Sequence, residues 1–524
     1  MKYFRTYLLV SSATLAAHAG EPSFEIFSYT GKDLFPSAII ATATVDWSEF
    51  ETEEDEGDAD DAEDADEAED AEDVDDSGED SAESAAADET PMLGDSNGWL
   101  GVTLAGVPAG ADIKVQMTGD GWMKPSSFVG KAQDADGEAL EGALDVMPKG
   151  VWDYDSLRKI EEQKPVNLTV KVTINGKELP EQSETLVMRS MNDCPFFVIN
   201  GDGDKPEDIE DISWCFAAYV NENHPWIDGI LKEALTTAKD AEGQPLVNNF
   251  SGYQSGESED VLKQVFAIWQ VLQRRGIKYS DVSTTVPCKT VASQVVRFVD
   301  ETIEAKQANC VDGSVLMASI LTKIGLHAYL VMVPGHCYLG FDQDSEGSAI
   351  IGLETTMLGQ DNLKSIDELK NLQLKADDKK VDMKKFDGLV ADEAGASLKT
   401  FLNAIETGNA SLEEHAEAFQ DGSDPNIQLI SISEWRKLGI RPLEGEQERR
   451  PVVRRRVDDV EAVREILERR RGVPRVQGGD VVGDEQQRAR VVAQRRRGHE
   501  RRCRLERVTR RHRGDPAASP GDEL

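Results

Sequence analysis

Apolar and polar residues alternate over several stretches of the first 200 positions, which predicts strands there. Ile113, Val115 and Met117 alternate with polar neighbours. Val166, Leu168, Val170, Val172 and Ile174 do the same and stop at Asn175-Gly176, a dipeptide suited to the tight turn of a hairpin. Trp99-Leu100-Gly101-Val102-Thr103-Leu104 and the β-branched run Ala38 to Trp47 (AIIATATVDW) predict two further strands. Together these segments predict a β-sandwich of roughly immunoglobulin size over 20–199. From about Asp208 the apolar period lengthens to that of a helix. Leu262, Val265, Phe266, Trp269 and Leu272 share one helical face, with Gly276 as the C-terminal stop. Val291, Val295 and Phe298 predict a second helix, and Val315, Leu316, Ile320 and Ile324 a third, running from Asn309-Cys310 to Gly325. Three apolar segments follow: His327 to Val333, His336 to Phe341 after a bend at Pro334-Gly335, and Ala349 to Thr355. They predict an antiparallel sheet directly behind that helix. Leu398, Phe401, Leu402 and Ile405 predict an amphipathic helix in a polar helical extension that closes the second domain, 200–443. The expected fold class is α+β: an N-terminal β-sandwich, then a helix packed on an antiparallel sheet.

Charge alters this picture at three places. The net charge of −42 over 524 residues is concentrated in 51–90, which is almost wholly Asp, Glu, Ala and Ser. Such a run buries too little apolar area to offset the entropy of ordering it, and predicts a disordered insertion between the first two strands of the sandwich. Residues 1–19 predict a signal peptide: Lys2 and Arg5, the apolar stretch Tyr7 to Ala17, then Ala17-His18-Ala19, with cleavage after Ala19. A secreted or periplasmic protein is expected, and no later apolar run reaches the ~18 residues of a membrane span. Beyond Lys437 lysine disappears, and 444–524 is dense in arginine. This stretch reads either as a basic tail for nucleic acid or for the acidic run, or as a shifted reading frame of a GC-rich gene. The lysine-free texture favours the second reading. No nucleic-acid partner is expected, because the acidic remainder repels polyanions.

Six cysteines in so long a chain do not form a disulfide scaffold, and none is spaced as a CxxC metal pair, so neither a metal nor a cofactor is expected. Asn200-Gly201-Asp202-Gly203-Asp204 lacks the Gly and Glu of a calcium loop and reads as a linker. One cysteine stands out by position. Cys310 opens a helix, where unpaired N–H groups and the helix dipole stabilise a thiolate, the reactive form of cysteine. Most free cysteines are inert core residues, so the neighbours matter. His336 begins the strand after a bend and is suited to take the thiol proton and return it to a leaving group. Glu354 ends an apolar strand, where a carboxylate is costly unless partnered. On a strand beside that of His336 it would hold the far nitrogen of the imidazole. Gln307 and Asn309 are the candidate side-chain oxyanion donors. Cys337 should point to the opposite face from His336, away from Cys310, as a small core residue.

These residues occur in order as Asn309-Cys310-Val311-Asp312, Val333-Pro334-Gly335-His336 and Leu353-Glu354-Thr355-Thr356. The set resembles the transglutaminase-like superfamily, in a bacterial secreted branch, over roughly Asp260 to Thr356 and more loosely to Leu443. The resemblance implies a papain-like arrangement with Cys310 as nucleophile, His336 as general base and acid, and Glu354 as orienting acid, where the family more often has Asp. It implies a hydrolase or acyltransferase acting on amide or peptide bonds of a protein or peptide through a thioester, and the expected export adds cell-envelope polymers to the candidate substrates. The alternative is an inactive relative with a binding or structural role at the cell surface.

Overall fold

The computed structural model describes residues 21–47, 90–201, 205, 208–239, 244–281, 288–360, 363–365, 393–422 and 424–444. The expected signal peptide, all of the acidic run but Thr90, and the arginine-rich stretch beyond Glu444 lie outside the described residues. The fold is α+β. Its first half is two sheets. The elements in chain order are β1 (Ser23–Ser28), β2 (Asp33–Leu34), α1 (Pro36–Ala41), β3 (Met92–Gly94), β4 (Leu100–Val107), β5 (Asp112–Gly119), β6 (Met123–Lys131), β7 (Gly142–Met147), α2 (Tyr154–Leu157), β8 (Lys164–Ile174), β9 (Lys177–Glu178) and β10 (Gln182–Met188). One sheet runs β1-β4-β7-β3 and the other β2-β10-β8-β5-β6, with β9 paired to β8. The alternation in β5 and β8 has a direct cause: Ile113, Val115, Met117, Leu168, Val170, Val172 and Ile174 are buried, and Lys114 and Lys171 between them are exposed. Asn175 and Gly176 both take positive φ, +49° and +76°, as the two-residue turn from β8 to β9 requires.

One expected strand is absent. Ala38 to Trp47 supplies most of α1 and a turn instead. Pro36 stands at the first helical position, where its fixed φ suits a helix and its missing N–H is not needed. All six residues of α1 are buried, so packing overrides the strand preference of Ile39 and Ile40. The elements described on either side of the acidic run are therefore α1 and β3, not two strands of the sandwich.

The chain continues through β11 (Asp193–Ile199), β12 (Ile209–Asp211), a 3₁₀ helix (Ser213–Tyr219), α3 (Pro225–Thr237), α4 (Ser258–Arg274), β13 (Lys278–Tyr279), β14 (Val291–Val295), α5 (Val299–Ala305), β15 (Gln307–Ala308) and α6 (Cys310–Lys323). Here a second expectation fails. Val291 and Val295 lie in a strand, antiparallel to β11 with Asp193 opposite Val295, and Phe298 only caps α5. Their spacing fits a helix by coincidence, and pairing with a strand about 100 positions earlier decides the outcome. After α6 come β16 (Ala328–Val333), β17 (His336–Asp342), β18 (Ile350–Leu353), α7 (Glu393–Glu414), α8 (Ala416–Asp421), β19 (Gln428–Ser431) and α9 (Ile432–Lys437). The sheet behind α6 has the order β18-β17-β16-β19. Its fourth strand, β19, falls in the stretch expected to be helical.

Two helices hold this half together. Trp269 of α4 is fully buried, packs against Phe401 of α7 and donates its indole N–H to Thr400 Oγ1 at 2.9 Å. The last described residues dock rather than trail: the Leu443 N–H donates to the Ala218 carbonyl at 2.7 Å. The Arg436 guanidinium binds the carbonyls of Ala217, Val220 and Ile440 and pairs with Glu222. One hydrophobic cluster includes residues from Phe24 in β1 to Leu443.

Candidate active site

Cys310 is the first residue of α6 because of a reciprocal cap. Asn309 Oδ1 accepts the Asp312 N–H at 2.8 Å, and Asp312 Oδ2 accepts the Asn309 N–H at 3.1 Å. Asp312 is buried, which pushes its pKa up. Bonds from the Arg297 N–H and guanidinium, each at 2.8 Å, and from the Asn309 N–H oppose that rise. The cap thus fixes where the helix starts, and the start is what aims the Cys310 side chain.

His336 is the first residue of β17, beyond a turn in which Gly335 has φ +71°. Its Nε2 lies 2.6 Å from Glu354 Oε2, which leaves Nδ1 for the thiol. The imidazole pKa is raised to about 10. Hydrogen bonding with the Cys310 side chain contributes most, then hydrogen bonding with Glu354, and partial burial works against both. The site therefore favours the protonated imidazole beside the Glu354 carboxylate.

Glu354 follows β18 directly and is 5% exposed, so it is no surface residue at a strand end. Burial alone would raise its pKa. Bonds from His336 and from the backbone and hydroxyl of Thr356 outweigh burial, and the net shift is downward. Oε1 accepts the Thr356 N–H at 3.0 Å and the Thr356 hydroxyl at 2.6 Å, so both carboxylate oxygens are partnered. The register explains why glutamate fits. Leu339 pairs with Leu353, and continuing that register sets Glu354 opposite Tyr338, on the diagonal from His336. The extra methylene relative to aspartate spans the diagonal.

The structure brings Cys310, His336 and Glu354 together and gives the other expected residues different settings. Asn309 is buried, with its amide oxygen committed to the helix cap. Gln307 is exposed on β15, which pairs in parallel with β13. Cys337 is a buried free thiol on the opposite strand face from His336, as its parity requires. That face, however, meets α6: the thiol sits beside Ser314 and within the field of Cys310, so it does not point away from the nucleophile. Burial pushes its pKa well up and keeps it protonated. Cys194 and Cys215 are likewise buried, and no disulfide joins them.

Tyr279 was not foreseen. It pairs with Ala308 through β13 and β15, two positions before Cys310. Its pKa is raised by burial first, then by electrostatic interaction with Asp281, Cys310 and Glu354 and by a hydrogen bond with Asp281, so its hydroxyl stays protonated. Nothing in local spacing marks a tyrosine 31 positions upstream of the cysteine; only the pairing of two short strands brings it in. Among the described residues no group of three or more His, Cys, Asp or Glu is arranged to hold a metal ion, and no helix is long and apolar enough to cross a membrane.

Chemically, a thiolate at the positive end of a helix can attack a carbonyl carbon, and an imidazolium beside it can protonate the group that leaves. No protein-family model matches this chain, nor does any curated protein or any solved structure.

Proposed function

We infer that the protein is a cysteine-nucleophile enzyme of the transglutaminase-like kind, acting on amide or peptide bonds. The observation that carries this reading is the continuous line from the N-terminus of α6 through Cys310 and His336 to the buried Glu354. The Cys310 thiolate adds to the substrate carbonyl, and the imidazolium passes its proton to the departing amine as the C–N bond breaks, leaving a thioester. Water, deprotonated by the neutral imidazole, then attacks the thioester. The acid is released, and the proton returns through His336 as the thiolate re-forms. A primary amine in place of water gives transfer. First-turn N–H groups of α6 are the donors assigned to the developing oxyanion. Hydrolysis is the preferred outcome, with peptide-like bonds of exported proteins or cell-envelope polymers as substrates, because the first 19 residues carry the features of an export signal.

The test is a thiol-directed activity probe on the full chain. Labelling is expected at Cys310, to disappear in Cys310→Ala and to persist in Cys337→Ala. Unchanged labelling in Cys310→Ala would remove Cys310 as the nucleophile.

A further inference from the structure

The sheet behind α6 ends at β18, and an edge strand leaves backbone N–H and C=O groups without a neighbouring strand. Here α7 takes the neighbour's place. The Gly352 N–H donates to Asn409 Oδ1 at 2.8 Å, and the Glu354 N–H donates to the Ala404 carbonyl at 3.0 Å. Helix and strand approach this closely because both carry glycine at the crossing. A Cβ on Gly408 would overlap the backbone of Gly352, and one on Gly352 would overlap that of Gly408. Inside a helix a glycine costs about 1 kcal/mol relative to alanine, and asparagine is also a weak helix former. Gly408 and Asn409 therefore place two helix-weakening residues side by side where α7 meets β18. On the other flank Thr355 shares a hydrogen bond with Ser314 at 3.1 Å and presses on Gly313 of α6. The segment from Gly352 to Thr355 is clamped between two helices, and Glu354 projects from it towards His336.

We propose that Asn409 is a positioning residue for the His336–Glu354 pair: by accepting the Gly352 N–H it sets the end of β18 at the distance from which the carboxylate meets the imidazole. Asn409 acts through the backbone of β18, and an alanine in its place leaves the Gly352 N–H without an acceptor and the strand end free to drift. The inference deepens the reading of the site given above, and its chemical readout rests on that reading; its geometric readout does not.

The experiment uses the full chain with Asn409→Ala, and with Asn409→Asp, which keeps an oxygen acceptor in the same place. Titration of His336 by NMR reports the pair directly, and the pH profile of thiol-probe labelling reports its effect on Cys310. Asn409→Ala is expected to lower the proton affinity of the imidazole about tenfold. It is also expected to slow labelling at neutral pH about 10- to 100-fold, as small displacements of catalytic groups do. Asn409→Asp is expected to restore both. An Asn409→Ala protein whose His336 titration and labelling profile match those of the wild type would overturn the proposal, even if its melting temperature had fallen. Should that variant not fold, Asn409→Ser, whose shorter side chain draws the acceptor back from Gly352, carries the same two expectations. If Cys310→Ala leaves labelling intact, the enzyme reading falls, and the His336 titration still decides the role of Asn409.

Discussion

Glu354→Gln removes the carboxylate that faces His336 and changes the volume hardly at all. Its effect can be worked from the site. The imidazole pKa rises from 6.5 to about 10, which at ~1.36 kcal/mol per pKa unit is roughly 5 kcal/mol favouring the protonated ring. Cys310 gives the larger hydrogen-bond contribution and Glu354 the larger charge contribution, so the share of Glu354 is taken as about half, roughly 2 kcal/mol. About a third of the His336 side chain faces solvent, which screens the pair, so about 1 kcal/mol is expected to reach the measured stability. The dependence on pH is the sharper test. Folding raises the proton affinity of His336, so that stabilisation is complete below the free imidazole's 6.5 and is lost as pH climbs towards about 10. Folding lowers the proton affinity of Glu354, so its contribution is complete above the free value of 4.5 and is lost as pH falls below it. The stability difference between wild type and Glu354→Gln should therefore be greatest from about 4.5 up to the folded value of His336 in the variant, which lies below the wild type's about 10, and shrink on both sides. Urea melts of the two proteins, taken from about pH 4 to about pH 10, measure it. A difference that stays constant over this range, or grows towards the alkaline end, would refute the ion pair.

Asp312→Ala should destabilise the fold by about 2–3 kcal/mol in urea melts, because it removes the reciprocal cap of α6 and a buried carboxylate paired with Arg297. Labelling of Cys310 should fall with it, since the start of the helix aims the side chain. Gly408→Ala reverses the sign that helix propensity alone would give. Propensity favours alanine by about 1 kcal/mol. The added methyl overlaps the backbone of Gly352, and forcing the two elements apart should leave a net loss of about 1–3 kcal/mol by thermal or urea melting.

How far the sequence could be read depended on how far apart the interacting residues lie. Cys310, His336 and Glu354 fall within 45 positions, on a helix and two strands that follow one another, and each element carries its own signal. Alternation or helical period sets the element, and Gly325, Pro334 and Gly335 set its ends, so local rules bring the three residues to one place. The same rules succeed for β5, β8 and α4, where a single period runs uninterrupted. They fail where a distant partner decides. Ile39 and Ile40 favour a strand until burial of all six residues of α1 selects a helix. Val291 and Val295 fit a helical period until β11 claims their backbone. Tyr279 reaches the site only through β15, and Asn409 only because α7 returns to an edge strand 57 positions earlier. The division has a chemical meaning. The groups that would react come from a contiguous stretch with strong local signals, whereas the acceptors for the backbone N–H groups of Gly352 and Glu354 come from a helix far along the chain. A segment ending at Thr356 would keep all three reacting side chains and lose α7, and with it the acceptors for the N–H groups of Gly352 and Glu354. The strand end that carries Glu354 would then face water, and the carboxylate would retain its identity while losing its fixed distance to His336.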